Sequence, residues 1–152
     1  LQNLNIKFTI SADYLLTPPT VTLLVGDCIC TRILLNEDYH AVIDMDMDPV
    51  LTSELTIQVI YDTKHPDDPY TEITISNIEI NGVKSPRFML QSTYTPDYPV
   101  EWYKQQIEAK NPPKTVHTGV ETLGWNGVWE LNVGLPAFLW IHKIHNHGWI
   151  YK

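Results

Sequence analysis

Apolar residues in this chain return at every second position, segment after segment, and that period belongs to half-buried strands. Leu4, Ile6, Phe8 and Ile10 face one way while Asn5, Lys7 and Thr9 face the other. Val21, Leu23 and Val25 repeat the pattern, as do Leu55, Ile57, Val59 and Tyr61. Trp129, Leu131 and Val133 repeat it again, alternating with polar Glu130 and Asn132. Turn residues punctuate these runs: Pro18-Pro19, Gly26-Asp27, Asn81-Gly82, and the glycines at 124 and 127 that bracket Trp125 and Asn126. A chain written this way folds into sheets.

Further strands are expected at Cys28–Leu35 and Tyr39–Met45. Ile73 and Ile75 alternate correctly, but Ile78 and Ile80 are out of phase with them, so a bulge near Ser76-Asn77 is needed to return both to one face. Strand patterning stops between residues 94 and 113. There Pro96, Pro99, Pro112 and Pro113 flank a segment, Val100–Lys110, that suits one short surface helix. It resumes at Thr115–Leu123, Val128–Val133 and Ala137–Ile144. The expected fold is all-β: a two-sheet, jelly-roll-like β-sandwich with one long loop and at most one short helix. At 152 residues it forms a single domain over 1–152 with one core.

Charge excludes several functions. A formal charge of −8 leaves no clustered cations for phosphate contacts, so neither nucleic acid nor an anionic membrane surface is an expected partner. No apolar run approaches bilayer length. Cys28 and Cys30 share one strand face with α-carbons too far apart for an unstrained disulfide, so two reduced, packed thiols are expected.

Three acidic or imidazole groups invite a metal. Asp44, Asp46 and Asp48 alternate along a strand end, where they serve as a calcium site or as charges that keep a strand edge from pairing with another molecule; the latter is favoured. Asp62, Asp67 and Asp68 lie in a Pro-stiffened loop that suits calcium, or forms an ordinary polar connection. His142, His145 and His147 lack an assured third ligand and read as structural or surface groups. No nucleophile, acid/base pair or phosphate loop stands out, so an enzyme is not expected. The aromatics Tyr94, Tyr98, Trp102 and Tyr103 of the long loop, with Trp125 at its turn, are the expected ligand or interface residues. Such rings stack on the apolar faces of sugars, or pin a loop, or meet another subunit.

The stretch Leu55–Val83, with its Asp62 loop and Ile73-Thr74-Ile75-Ser76-Asn77-Ile78-Glu79-Ile80-Asn81-Gly82, resembles the calcium-dependent, xylan-binding type of carbohydrate-binding module. That resemblance implies a jelly-roll sandwich in which Asp62 and Asp67 or Asp68 match the acids of the metal loop. More of the chain resembles uncharacterised proteins encoded in the structural-gene regions of tailed bacteriophages. It does so through Ile78-Glu79-Ile80-Asn81-Gly82, Tyr94-Thr95-Pro96-Asp97-Tyr98-Pro99-Val100-Glu101-Trp102, and Leu123-Gly124-Trp125-Asn126-Gly127 with Leu139-Trp140. The likeness implies a non-enzymatic virion protein, decorating the capsid or associated with the tail. Its partners would be other virion proteins or a cell-surface glycan, and it would form a homo-oligomer on the particle. Residues 142–152 are expected to be a C-terminal extension. A calcium-dependent sugar-binding module is the alternative.

Overall fold

Two antiparallel sheets stack face to face in the computed structural model, which describes residues 2–64 and 68–146. The first sheet holds β1 (Gln2–Asp13), β4 (Tyr39–Met47), β6 (Glu72–Ile80), β7 (Val83–Lys84) and β10 (Thr122–Leu123) in the order β10-β6-β1-β4, with β7 hydrogen-bonded to β6. The second runs β3-β2-β5-β11-β8-β9, built from β2 (Thr20–Val25), β3 (Ile29–Leu34), β5 (Glu54–Tyr61), β8 (Thr93–Pro96), β9 (His117–Thr118) and β11 (Gly127–Gly134). Most connections cross from one sheet to the other, in the jelly-roll manner. The all-β sandwich is as expected.

Register follows the alternation. Ile6 lies between Ile43 and Ile80 in the first sheet, and Val59 between Leu23 and Trp129 in the second. A one-residue slip would turn each of these side chains to solvent, so the buried face fixes the pairing. Trp129 is fully buried and meets Phe8 across the sandwich, ring centroids 6.0 Å apart. The bulge sits where the phase error requires it. Pairing between β1 and β6 shifts between Lys7 and Thr9, Asn77 takes φ 57°, and Ile73, Ile75, Ile78 and Ile80 all reach the core. Asn81 and Gly82 both adopt positive φ, as a tight hairpin turn demands.

Helices depart from expectation, being three in number among the described residues: α1 (Pro86–Leu90), α2 (Val100–Glu108) and α3 (Ala137–Asn146). Ser85 caps α1 by accepting the Arg87 N–H, and Pro86 opens it where no donor is needed. The segment expected as a last strand is α3. Ala137, Trp140, Ile141 and Ile144 fall at helical spacing and pack on the core, while Phe138 and Leu139 face out. Its first amide donates to the Gln2 side chain, and the Trp140 ring lies on Gly134. The expected strand Thr115–Leu123 splits into β9 and β10 on different sheets, separated by Gly119 at φ 73°.

Register also gathers the long loops at one end. Asp13 pairs with Glu72, while Tyr61 pairs with both Val21 and Gly127, and Gly127 in turn with Pro96. The strand ends from which the connections 14–19, 62–71, 97–116 and 124–126 leave therefore lie together.

Candidate functional site

Aromatic rings converge at that end. Pro99 precedes α2, which carries Trp102 and Tyr103 toward Tyr98 and toward Trp125 in the turn before β11. Tyr98 lies 5.0 Å from Trp102, 6.4 Å from Tyr103 and 6.0 Å from Trp125, centroid to centroid. Trp102 and Trp125 are 5.4 Å apart. All four rings are half-buried, and α2 buries none of its side chains fully. The helix is thus held by rings that keep one side in solvent.

Beneath them is a layer of hydrogen bonds. The Tyr94 hydroxyl donates to the Trp125 carbonyl (2.5 Å) and accepts the Trp125 N–H (3.1 Å). Burial pushes the Tyr94 phenol up to about 12, so it stays a neutral donor. The Tyr98 hydroxyl donates to the Lys114 carbonyl (2.8 Å) and accepts from His117 Nε2 (3.0 Å); burial raises its pKa too. Of the five expected contact residues, the structure brings four into one ring cluster. Tyr94 is the exception: it is buried, and its part is to clamp Trp125 in place.

Lys64 was not foreseen from the sequence. Its backbone N–H donates to Asn126 Oδ1 (2.8 Å), and its Nζ donates to the carbonyls of Thr71 (2.8 Å) and Pro69 (3.0 Å). The same ammonium stands 5.7 Å from the centroid of the Trp125 ring. Burial lowers its pKa, opposed by the charges of Asp68 and Glu72. The available signal was modest: Lys64 is the sole Lys or Arg in a loop with three aspartates.

The acids expected to hold calcium do not converge. Asp62 is exposed and pairs with Arg32 of β3 at 3.4 Å. Asp68 is buried, its Oδ2 facing the amides of Leu15 and Leu16 at 3.4 and 3.3 Å. Asp67 lies outside the described residues. Among the described residues no three His, Cys, Asp or Glu side chains are grouped as metal ligands. Two loop carbonyls and a carboxylate are the surroundings a hard cation would want. Here the Lys64 ammonium takes that place.

The remaining motifs have structural roles. β4 is a sheet edge, where Asn3 donates to Asp44 (2.8 Å) and Asp46 (3.3 Å), and Asp48 accepts the Val50 N–H in the next turn (2.9 Å). Charges along an edge discourage pairing with another chain. His145 donates from Nδ1 to the Ile141 carbonyl (2.7 Å) and accepts at Nε2 from the Ser85 hydroxyl (2.5 Å), edge-on to Phe88. It ties α3 to α1. His142 lies exposed on α3, and His147 is outside the described residues. Cys28 and Cys30 are free but exposed, contrary to the packed pair expected, because Cys28 falls in the turn and β3 is an edge strand. No family model, no curated protein and no solved structure matches the chain.

Proposed function

We propose that this chain is a non-catalytic component of a bacteriophage virion, decorating the capsid or attached to the tail, that binds cell-surface glycan through its ring cluster. The virion assignment draws on the resemblance of its sequence motifs to proteins of phage structural-gene regions. The glycan reading is carried by one observation. Trp102, on a helix with no buried side chain, and Trp125, in the turn before β11, lie 5.4 Å apart, and neither is fully buried. A cluster serving only to pin the loop would gain most by burying its rings completely. Rings left open beside carbonyls and hydroxyls offer both the apolar face and the polar rim that a sugar requires.

The test is adsorption of labelled protein to host cells and to their purified surface polysaccharide. Trp102→Ala should weaken binding tenfold or more, about 1.4 kcal/mol, while the fold persists. Binding equal to wild type would refute the reading. Loss of incorporation into particles with cell binding intact would assign the rings to a neighbouring virion protein instead.

A further inference from the structure

The two long edge strands of this sandwich are defended differently. β4 carries Asp44 and Asp46, with Asp48 in the turn beyond, whereas no residue of β3 is acidic in a chain of formal charge −8. The one charge on β3, Arg32, is drawn back over its own sheet, onto the Thr22 hydroxyl (2.9 Å) and Asp62 (3.4 Å). Among the described residues β3 pairs with β2 alone. The ladder decides which of its backbone groups are left over. The Leu35 N–H donates to the Pro19 carbonyl and the Gly26 N–H to the Thr56 carbonyl, which fixes the phase of both ladders of β2. Hydrogen-bonded and non-hydrogen-bonded pairs alternate along antiparallel strands, so Val21, Leu23 and Val25 bond with Ile33, Thr31 and Ile29. The N–H and C=O groups of Cys30, Arg32 and Leu34 therefore point away from β2. All three residues are exposed, Leu34 at 53%. A free edge without acids is a template for another strand.

This edge is complementary to itself in one register. Under a twofold axis β3 runs antiparallel to its copy, and outward-bonding residues must meet outward-bonding residues. Registers centred on Thr31 or on Arg32 keep most of the six residues paired. Centring on Arg32 would set two arginines directly opposite each other, which is destabilising. Centring on Thr31 sets Cys30 against Arg32 of the second copy, and half-buried Ile29 against Ile33. It also carries Leu34 toward Cys28 of the second copy. The apolar side chains left open on β3 then gain apolar or thiol neighbours, and both exposed cysteines are covered.

We propose that β3 is a dimerisation edge, pairing with β3 of a second copy about a twofold axis at Thr31 and joining two six-stranded sheets into one. The ring cluster takes no part in this contact, so glycan binding and dimerisation can fail separately. A pair of six-residue strands makes a small interface, so the dimer should dissociate on dilution.

The experiment is sedimentation velocity over a dilution series under reducing conditions. Wild type should approach twice the 17.5 kDa chain mass at the highest concentration. Cys30→Pro removes an N–H that the β2–β3 ladder does not use, so it should be monomeric with an unchanged circular dichroism spectrum. Register is read by oxidative cross-linking in a Cys28→Ser, Cys30→Ser background. Facing α-carbons of a non-hydrogen-bonded pair stand about 4.5 Å apart, within disulfide reach, so Thr31→Cys should link two chains. A wild type monomeric at every concentration, or a Cys30→Pro variant that still dimerises, would overturn the edge. Failure of Thr31→Cys to link, or linkage through Arg32→Cys instead, would overturn the register.

Discussion

Replacing Lys64 with Met keeps the aliphatic stem and removes the ammonium, so it isolates what the charge does. The Nζ makes two hydrogen bonds to carbonyls, of Thr71 and Pro69. Hydrogen bonds from charged donors contribute about 1.5–3 kcal/mol each. Burial lowers the pKa of this lysine, so part of that gain is offset by desolvation. Two such bonds at the lower figure, with about 0.5 kcal/mol from the contact over Trp125, total about 3.5 kcal/mol before that offset. A net loss of about 2–3 kcal/mol is expected. For a chain of 152 residues each kcal/mol moves the melting temperature roughly 2–4 °C, so Lys64→Met should melt roughly 5–10 °C below wild type. Circular dichroism melts, repeated with calcium and with EDTA, are the assay. Wild type should be indifferent to both, since a ligand bound only by the native state must raise its stability. A melting shift under about 2 °C, or a wild type stabilised by calcium, would refute the idea that the ammonium holds this loop.

Other outcomes follow from the same geometry. The Asp68 carboxyl is held below its usual range, chiefly by the Thr71 hydroxyl and then by the Leu16 and Leu15 amides, against burial. Its stabilising share is therefore complete above about pH 4, the unfolded value, and is lost as pH falls through the lower folded value. Acid unfolding of Asp68→Asn should show a smaller gap from wild type at low pH than at neutral pH; a constant gap would contradict this. Gly127→Ala would drive its new methyl into the Thr95 carbonyl and to 2.8 Å from Pro96 Cα, separating β8 from β11. A loss of about 2 kcal/mol or more is expected from denaturant unfolding, with a wild-type midpoint as the contrary result. Trp129 is fully buried, and among the described residues its Nε1 has no partner, so Trp129→Phe trades a small cavity against removal of an unsatisfied donor. It should fall within about 1 kcal/mol of wild type, whereas Trp129→Ala should lose about 3–5 kcal/mol.

The sheets were legible because burial on one face writes itself into every second residue. Ile73, Ile75, Ile78 and Ile80 even located the bulge, since only an inserted residue returns all four to the core. Ala137–Ile144 was misread for a physical reason. Ala137, Phe138, Leu139, Trp140 and Ile141 form an unbroken apolar run, and over so few residues strand and helix bury similar side chains. Only Ile144, one further turn on, shows the helical spacing. At the candidate site, Tyr98, Trp102, Tyr103 and Trp125 could be grouped in advance as the large rings of the long loop and of the turn before β11. Which of the rings would be buried could not be read, as Tyr94 differs from Tyr98 only by its strand register opposite Trp129. Lys64 was hidden because its partners are carbonyls, which every residue carries and no sequence pattern marks.

Those backbone contacts explain why a half-buried cluster of rings keeps one arrangement. Tyr94 grips Trp125 at both its N–H and its carbonyl, and Tyr98 is fixed by Lys114 and His117. Lys64 binds the 62–71 connection to itself and, through Asn126, to the Trp125 turn. Trp102 and Tyr103 then settle against two rings whose positions are already set by strands. On the proposed reading, a ligand meeting this face would have little ordering left to impose, and the entropy lost on binding would be smaller by that amount. The opposite design would place the rings on a loose loop and order them only on contact. The hydrogen bonds under Trp125 favour the prepared surface, which on the proposed reading would gain affinity from rigidity and not from area.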